Sequence, residues 1–452
     1  MRQPQRFDTT TIWLPPVSRR GFLRIGLGGA LGIGLVGCGG DGSPDRPAQG
    51  GGGASGYAGP PITLDFWNGF TGGDGPIMRE MTEAFSEAQE NIDVEMTVME
   101  WADYYQRTPT AVTTGDGPDV GIMHVDSLAT NAARGVIQPL DDVAEALELA
   151  EEDFAAEVWQ GGIFDGMRYG IPLDVHPIGM YYNRTVLEQA GLDPDSPPQT
   201  ADDYKAALEE LSAAGIRGHW ATPFQFTGGF QFQSLLWQFG GELFNEDVSE
   251  ATWNSEAGVE ALSWLRSLVD NGYSPPDVGQ DADSIAFQNG EAAFVWNGIW
   301  AINAYNEVPE LDWGVAPLPV IGEQPAAWAG SHQFVIMQQR QPDEDIAAAA
   351  RVFINEISQR SIEWAKGGQV PARREVRESE EFAALEAQSQ FAMQVDYLRF
   401  PPAVAGIGDA MTPMYEAVNA AVLGQAEPQQ ALDDAANQAA GILEENRSRY
   451  GA

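Results

Sequence analysis

Ile62-Thr63-Leu64-Asp65-Phe66-Trp67 alternates apolar and polar residues, the period of a half-buried strand. Downstream, Ile77, Met81 and Phe85 recur every four residues and predict a helix face. Ile92, Val94, Met96 and Val98 then alternate against Asp93, Glu95 and Thr97, a second strand. A mostly helical stretch begins at Trp101, and Pro118-Asp119-Val120-Gly121-Ile122-Met123 reads as a third short strand. Strand, helix, strand, helix, strand predicts a parallel sheet covered by helices on both faces. Ligands of such sheets sit beyond the carboxyl ends of the strands. The loops after Trp67 and Met123 are therefore a candidate site, offering Asn68, Phe70 and Thr71 from the first and His124 and Asp126 from the second.

A second α/β region runs from about Asp174 to Pro319. Helices are predicted over 201–213, behind the breaker Pro197-Pro198, and over 256–270, where Val259, Leu262, Leu265 and Leu268 share a face. The tail from Met411 to Tyr450 reads as polar-faced helix with a break at Gln425–Pro428. At 452 residues, the chain is long enough for two or three domains.

Charge excludes whole classes of partner. With 24 Lys and Arg against 66 Asp and Glu, the net charge is −42. A nucleic-acid binder needs a basic footprint to replace phosphate counterions, and this chain has none. Electrostatic docking on anionic lipid is disfavoured for the same reason. Lys205 and Lys366 are the only lysines. Such a surface fits a saline environment, where carboxylates hold water and cations and salt screens their repulsion. The alternative is codon bias in a GC-rich genome.

The N-terminus reads as a leader. Ser18-Arg19-Arg20-Gly21-Phe22-Leu23-Arg24 precedes the apolar run Ile25–Gly37, too short to span a bilayer and suited to a signal segment. The paired Arg19 and Arg20 resemble the twin-arginine export signal. The single cysteine closes Leu35-Val36-Gly37-Cys38, which resembles a lipoprotein box. The resemblance implies cleavage after residue 37 and lipidation of Cys38. Residues 38–61, rich in Gly and Pro, read as a flexible tether holding the body on the outer face of the cytoplasmic membrane. Gly32-x-Gly34-x-x-Gly37 satisfies a dinucleotide-binding pattern but follows no strand of a βαβ unit, so it carries no weight.

The search for catalytic chemistry is nearly empty. One cysteine rules out an intrachain disulfide and a thiolate metal site. Neither lysine is followed by Ser or Thr, so there is no Walker A loop. His124, His176, His219 and His332 include no i, i+4 pair, so there is no H-E-x-x-H zinc motif, and no G-x-S-x-G elbow occurs. Adjacent carboxylates such as Asp141-Asp142 and Glu151-Glu152 read as solvated surface. The expectation is a binding protein, with neither an enzyme's site nor a cofactor or metal. What the chain does hold is 13 tryptophans, with Trp67, Trp101, Trp300 and Trp328 near predicted loop and strand ends. Flat, weakly polar rings suit the apolar face of a sugar, although any single Trp is more commonly core.

Several ordered segments then add up: ITLDFWNGFTGGDG, TTGDGPDVGIMHVDSLATNAARGVIQPLDD, YGIPLDVHPIGMYYNRTVLEQAGLDPDSPPQT, FGGELF, IAFQNGEAAFVWNGIW, WGVAPLP and GGQVPA. From Ile62 onward the chain resembles the extracellular solute-binding proteins of ABC importers, in their sugar-binding class of the maltose-binding type. The resemblance implies a monomer of two α/β lobes joined by crossover strands, closing on ligand in the interlobe cleft and delivering it to membrane permease subunits. Breaks near Leu173, Pro319 and Gly368 would put 62–173 and 320–368 in lobe one, and 174–319 and 369–445 in lobe two.

The ligand-binding residues it implies are Asn68, Asp126, His176, Phe230, Trp300 and Trp328. Asp126 would accept sugar hydroxyls. Trp300, after the F-x-x-G-x-A-A motif, would stack on a ring. His176 departs from the pattern, since the family type has a carboxylate there, which leaves the sugar open. A later family aromatic has only Met411 and Tyr415 nearby, and Pro109 interrupts a helix that the family keeps continuous. Few cations near the predicted site point to a neutral ligand, with Arg373 and Arg374 able to change that. The competing readings are an extracellular polysaccharide-active enzyme and a binder of a polyol, a glycerol phosphodiester or ferric ion. Tyr104-Tyr105 and Tyr181-Tyr182 invite the last, but both pairs fall in predicted helix or strand.

Overall fold

The computed structural model describes residues 57–451. The expected leader with Arg19 and Arg20, the expected anchor residue Cys38 and the expected tether before residue 57 lie outside them.

The expected first sheet forms. Strand β1 (Ile62–Asn68) buries Leu64, Phe66 and Asn68 and pairs in parallel with β2 (Ile92–Val98), Leu64 opposite Val94. On its other edge lies β3 (Val120–His124), with Phe66 opposite Val120. Helix α1 (Gly75–Ala88) buries Met78, Met81 and Phe85, while Ile77, placed by its spacing on the same face, is only half-buried. Phe85 and Phe66 both meet Phe353 edge-on, with ring centroids 5.1 Å apart in each pair.

Helix α2 (Trp101–Thr114) runs through Pro109, correcting the expected interruption. A mid-helix proline removes one backbone donor. Here the Thr108 and Thr113 hydroxyls donate to the Tyr104 and Pro109 carbonyls at 2.7 Å each, tying together the turns on either side.

The second sheet is built around the crossover strand Asp174–Asn183, buried at all ten positions. Val370–Pro371 pairs with its start, Ala327–Gly330 with its middle, and Phe294–Gly298 and Trp313–Ala316 with its far half. A strand covered on both faces shows no alternation, so its sequence carries no two-residue period. Helices Ala201–Ala213 and Glu256–Asp270 have the expected bounds, the latter burying Leu262, Leu265 and Leu268. The tail forms Ile407–Val422 and Pro428–Tyr450, broken where expected.

The chain leaves the first sheet at Leu173, between strands Ile171–Pro172 and Asp174–Asn183. It returns at Ser331, between Ala327–Gly330 in the second sheet and His332–Ile336 in the first. The return comes later than the Pro319 expected, because Ala326, Ala327, Trp328 and Ala329 pack into the second sheet's core. A third passage follows at Gly368, whose φ of +103° suits glycine alone, just before Val370–Pro371.

Candidate ligand-binding site

The passages place the site. On one extended run, Gly330 lies opposite His176, and His332, two residues on, lies opposite His124. Residues two apart on a strand share a face, so the register alone gathers three of the chain's four histidines. Ring centroids are 4.2 Å apart for His176 and His332, 4.9 Å for His124 and His332, and 5.6 Å for His124 and His176. Gly330 makes room: a Cβ there would stand 2.2 Å from His176 Nε2.

Asp174, the first residue of the crossover strand, is fully buried and accepts four hydrogen bonds. His332 donates its backbone N–H at 2.9 Å and its Nδ1–H at 2.7 Å; His176 Nδ1–H donates at 3.1 Å and Trp364 Nε1–H at 2.7 Å. Burial alone would raise this carboxyl's pKa, but the adjacent His332, then the hydrogen bonds from both rings, bring it below the usual range. Burial lowers the His332 pKa, only partly offset by Asp174. Asp174 is therefore the acceptor in each pair, and both rings meet it through Nδ1.

His124 is pushed well below its ordinary pKa, first by burial and then by its two imidazole neighbours. Its Nδ1 lies 2.8 Å from the Tyr105 hydroxyl, which also accepts the His124 backbone N–H at 2.8 Å. Ser127 Oγ donates to the His124 carbonyl at 2.7 Å. The Ser127 hydroxyl also lies 3.3 Å from the Tyr105 oxygen.

Aromatic rings wall the cluster on both sides. Trp101 stacks on His332 at 5.6 Å and 13° and meets His124 edge-on at 4.4 Å, while Phe70 is edge-on to His332 at 4.9 Å. On the second-sheet side, Trp300 and Trp328 each stand 6.1 Å from His176. Phe230, from helix Phe230–Gln238, lies face to face with Trp328 at 3.6 Å and 7°.

Four of the six expected residues, His176, Phe230, Trp300 and Trp328, thus form one ring cluster. Phe230 and Trp328, both expected to meet ligand, cover one face of each other. Asn68 is fully buried at the end of β1; its Oδ1 accepts the Phe70 N–H at 3.2 Å and its Nδ2 has no partner among the described residues. Asp126 sits half-buried in the first turn of helix α3 (Val125–Ala133). Burial raises its carboxyl, against hydrogen bonds from its own and the Ser127 amide. Its charge adds to burial in raising Tyr415, whose hydroxyl is 3.3 Å from Gln233 Nε2. Tyr415 belongs to helix Ile407–Val422, which packs against α3, and is the aromatic nearest the late family position.

Asp174, His332 and Trp364 were not singled out from sequence, because their roles follow from pairing across 158 and 190 residues. Arg373 is turned away: Nε and one terminal nitrogen bond Ser358 Oγ at 3.1 and 2.9 Å, and its guanidinium lies over Phe154. Tyr181 is fully buried and donates to the Gly298 carbonyl at 2.8 Å, a core role. A broad groove lined by Asp195, Asn303, Trp313, Glu386 and Tyr397 lies elsewhere and holds none of the expected site residues.

A family model described as bacterial extracellular solute-binding protein matches residues 80–389. The chain is similar to the galactooligosaccharide-binding protein of Bacillus subtilis, 21% identical over 82% of this chain and 87% of that one. Its fold is similar to the GacH receptor of Streptomyces glaucescens, solved with acarbose, at a TM-score of 0.75, 22% identity, and coverage of 84% of this chain and 98% of that one. It is equally similar to UgpB of Mycobacterium tuberculosis, solved with glycerophosphocholine, at a TM-score of 0.75, 21% identity, and coverage of 86% and 99%.

Proposed function

We propose a saccharide-capturing role from one premise: the chain belongs to the bacterial extracellular solute-binding protein family. In this reading it is the binding component of an ABC importer. Two lobes, 62–173 with 332–368 and 174–330 with 369–445, hinge at the three passages, close on a neutral mono- or oligosaccharide and present it to permease subunits. The observation that carries the reading is the half-buried Trp300 beside His176 where the chain crosses between sheets. Indole faces suit the apolar side of a sugar, and Asn68 Nδ2 and the Asp126 carboxylate offer a donor and an acceptor for hydroxyls. A phosphodiester, the ligand solved with UgpB, calls for a cation. Among the described residues no arginine or lysine lies over Trp300 or Trp328, and Arg373 is bound to Ser358.

The test is a thermal-shift panel of mono- and oligosaccharides at low and high KCl. Saturation with a ligand at a hundred times its Kd stabilises by about 2.7 kcal/mol. We expect at least one saccharide to raise Tm and to be recovered intact. A shift with glycerophosphodiesters alone, or release of a cleaved product, would overturn the reading. The same panel reads the salt dependence. Screening shortens from about 10 Å at 0.1 M to about 3 Å at 1 M, so Tm should rise over that range; a flat curve leaves codon bias as the source of the acidity.

The anchor belongs to the same proposal. A monomer exported through Arg19 and Arg20 and lipidated on Cys38 would stay at the outer membrane face. Cys38→Ala should then appear in the culture medium, and its retention in the membrane fraction would exclude the anchor.

A further inference from the structure

We propose that His124, His176 and His332 form a binding site for one divalent transition-metal ion, with Zn²⁺ the best match, where the chain crosses between the two sheets. One ring nitrogen from each histidine lies within 4.8 Å of those of the other two. Among the described residues, the Nδ1 atoms are engaged by Asp174 and Tyr105, and no hydrogen bond uses any of the three Nε2 atoms. Imidazole nitrogen suits Zn²⁺, Ni²⁺ and Cu²⁺, and three histidines with an open fourth position are a known way to hold zinc together with an exchangeable oxygen ligand.

The supporting shell strengthens the assignment. Metal-bound histidines commonly donate their other N–H to a carboxylate, which fixes the ring and raises its basicity. Here one buried carboxylate does so for two rings at once, and is itself held by the Trp364 indole. Among the described residues, the only groups within ion-pair distance of Asp174 are His176 and His332. An ion on the far nitrogens of those rings would stand one imidazole away from this buried carboxylate, the arrangement in which a carboxylate orients metal-bound histidines.

The geometry asks for a modest adjustment. At about 2.0–2.1 Å from the metal, tetrahedral ligands stand about 3.3 Å apart. The rings must draw together by up to about 1.5 Å, a movement shared by three side chains. His176 belongs to the second sheet and the other two to the first, so the ion would link the sheets. The proposal does not depend on the saccharide reading, and its test uses no saccharide.

The purified full chain in detergent, stripped with a chelator and held near 1 M KCl to screen surface carboxylates, is titrated with Zn²⁺ against a competing chromophoric chelator. We expect one ion per chain, a rise in Tm with Zn²⁺, and the visible absorption of tetrahedral Co²⁺ when cobalt replaces zinc. His124→Gln, His176→Gln and His332→Gln should each weaken binding at least a hundredfold, and Asp174→Asn ten- to a hundredfold. His124 is half-buried, so its substitution should leave the fold intact. His219→Gln, whose ring lies in the other core against Tyr204, should bind as the parent does. Absence of a single stoichiometric ion, or weak uptake of several ions that ignores the three substitutions, would overturn the site and leave only the acidic surface.

Discussion

Replacing Asp174 by alanine is expected to lower the unfolding free energy by about 3–5 kcal/mol, the cost of removing one member of a buried charged network. Four donors lose their acceptor together: the His332 backbone and ring, the His176 ring and the Trp364 indole. Each buried donor left unpaired costs about 1–3 kcal/mol, and members of one network do not add. These donors come from the crossover strand, from the return strand and from helix Ser361–Lys366, so the loss acts where the chain passes between sheets. Asp174→Asn keeps one acceptor oxygen and should fall between parent and alanine. Urea unfolding at neutral pH in high salt measures both variants. A loss below about 1 kcal/mol for alanine would mean that water replaces the carboxylate and that the network does not tie the passages together.

Much of this architecture was legible in the sequence wherever local pattern decides it. The alternation in Ile62–Trp67 and the spacing of Leu262, Leu265 and Leu268 are set by one buried face; the helix appears with the expected bounds and the strand runs one residue further, to Asn68. Two things escaped local reasoning. Pro109 was read as an interruption because its missing N–H is a local fact, whereas threonine side chains support the helix around it. The return passage was placed at Pro319, though Ala327–Ala329 pair with the second sheet, which only long-range pairing can show. The site divides in the same way. His176 and Trp300 sit in segments with strong local signatures. His124 and His332 come together through register across β3, and no spacing along the chain between positions 124, 176 and 332 encodes a metal motif. Asp174 carried no signal, being one of 66 acidic residues until burial and four donors set it apart.

Two tryptophans in the same cluster should respond in opposite ways to truncation. Trp328 is 6% exposed, its ring lies flat on Phe230 at 3.6 Å, and its backbone N–H is held by Ser234 Oγ at 2.8 Å. That is a core residue, and Trp328→Ala should cost about 3–5 kcal/mol of stability. Trp300 is half-buried, its ring folded over Gly298, where a Cβ would stand 2.1 Å from it. One side of the indole is thus supported, and the remainder stays accessible for stacking. Anchor residues in binding sites often cost 2 kcal/mol or more when truncated. Trp300→Ala should therefore weaken saccharide binding at least about thirtyfold, since 1.4 kcal/mol is a factor of ten, with a much smaller fall in Tm than Trp328→Ala. Calorimetric affinity and Tm on the two variants decide the matter. If Trp300→Ala lowers Tm as steeply as Trp328→Ala while affinity holds, both rings are core. A sugar would then have to meet the cluster from the Trp101 side, against the imidazoles of His124 and His332.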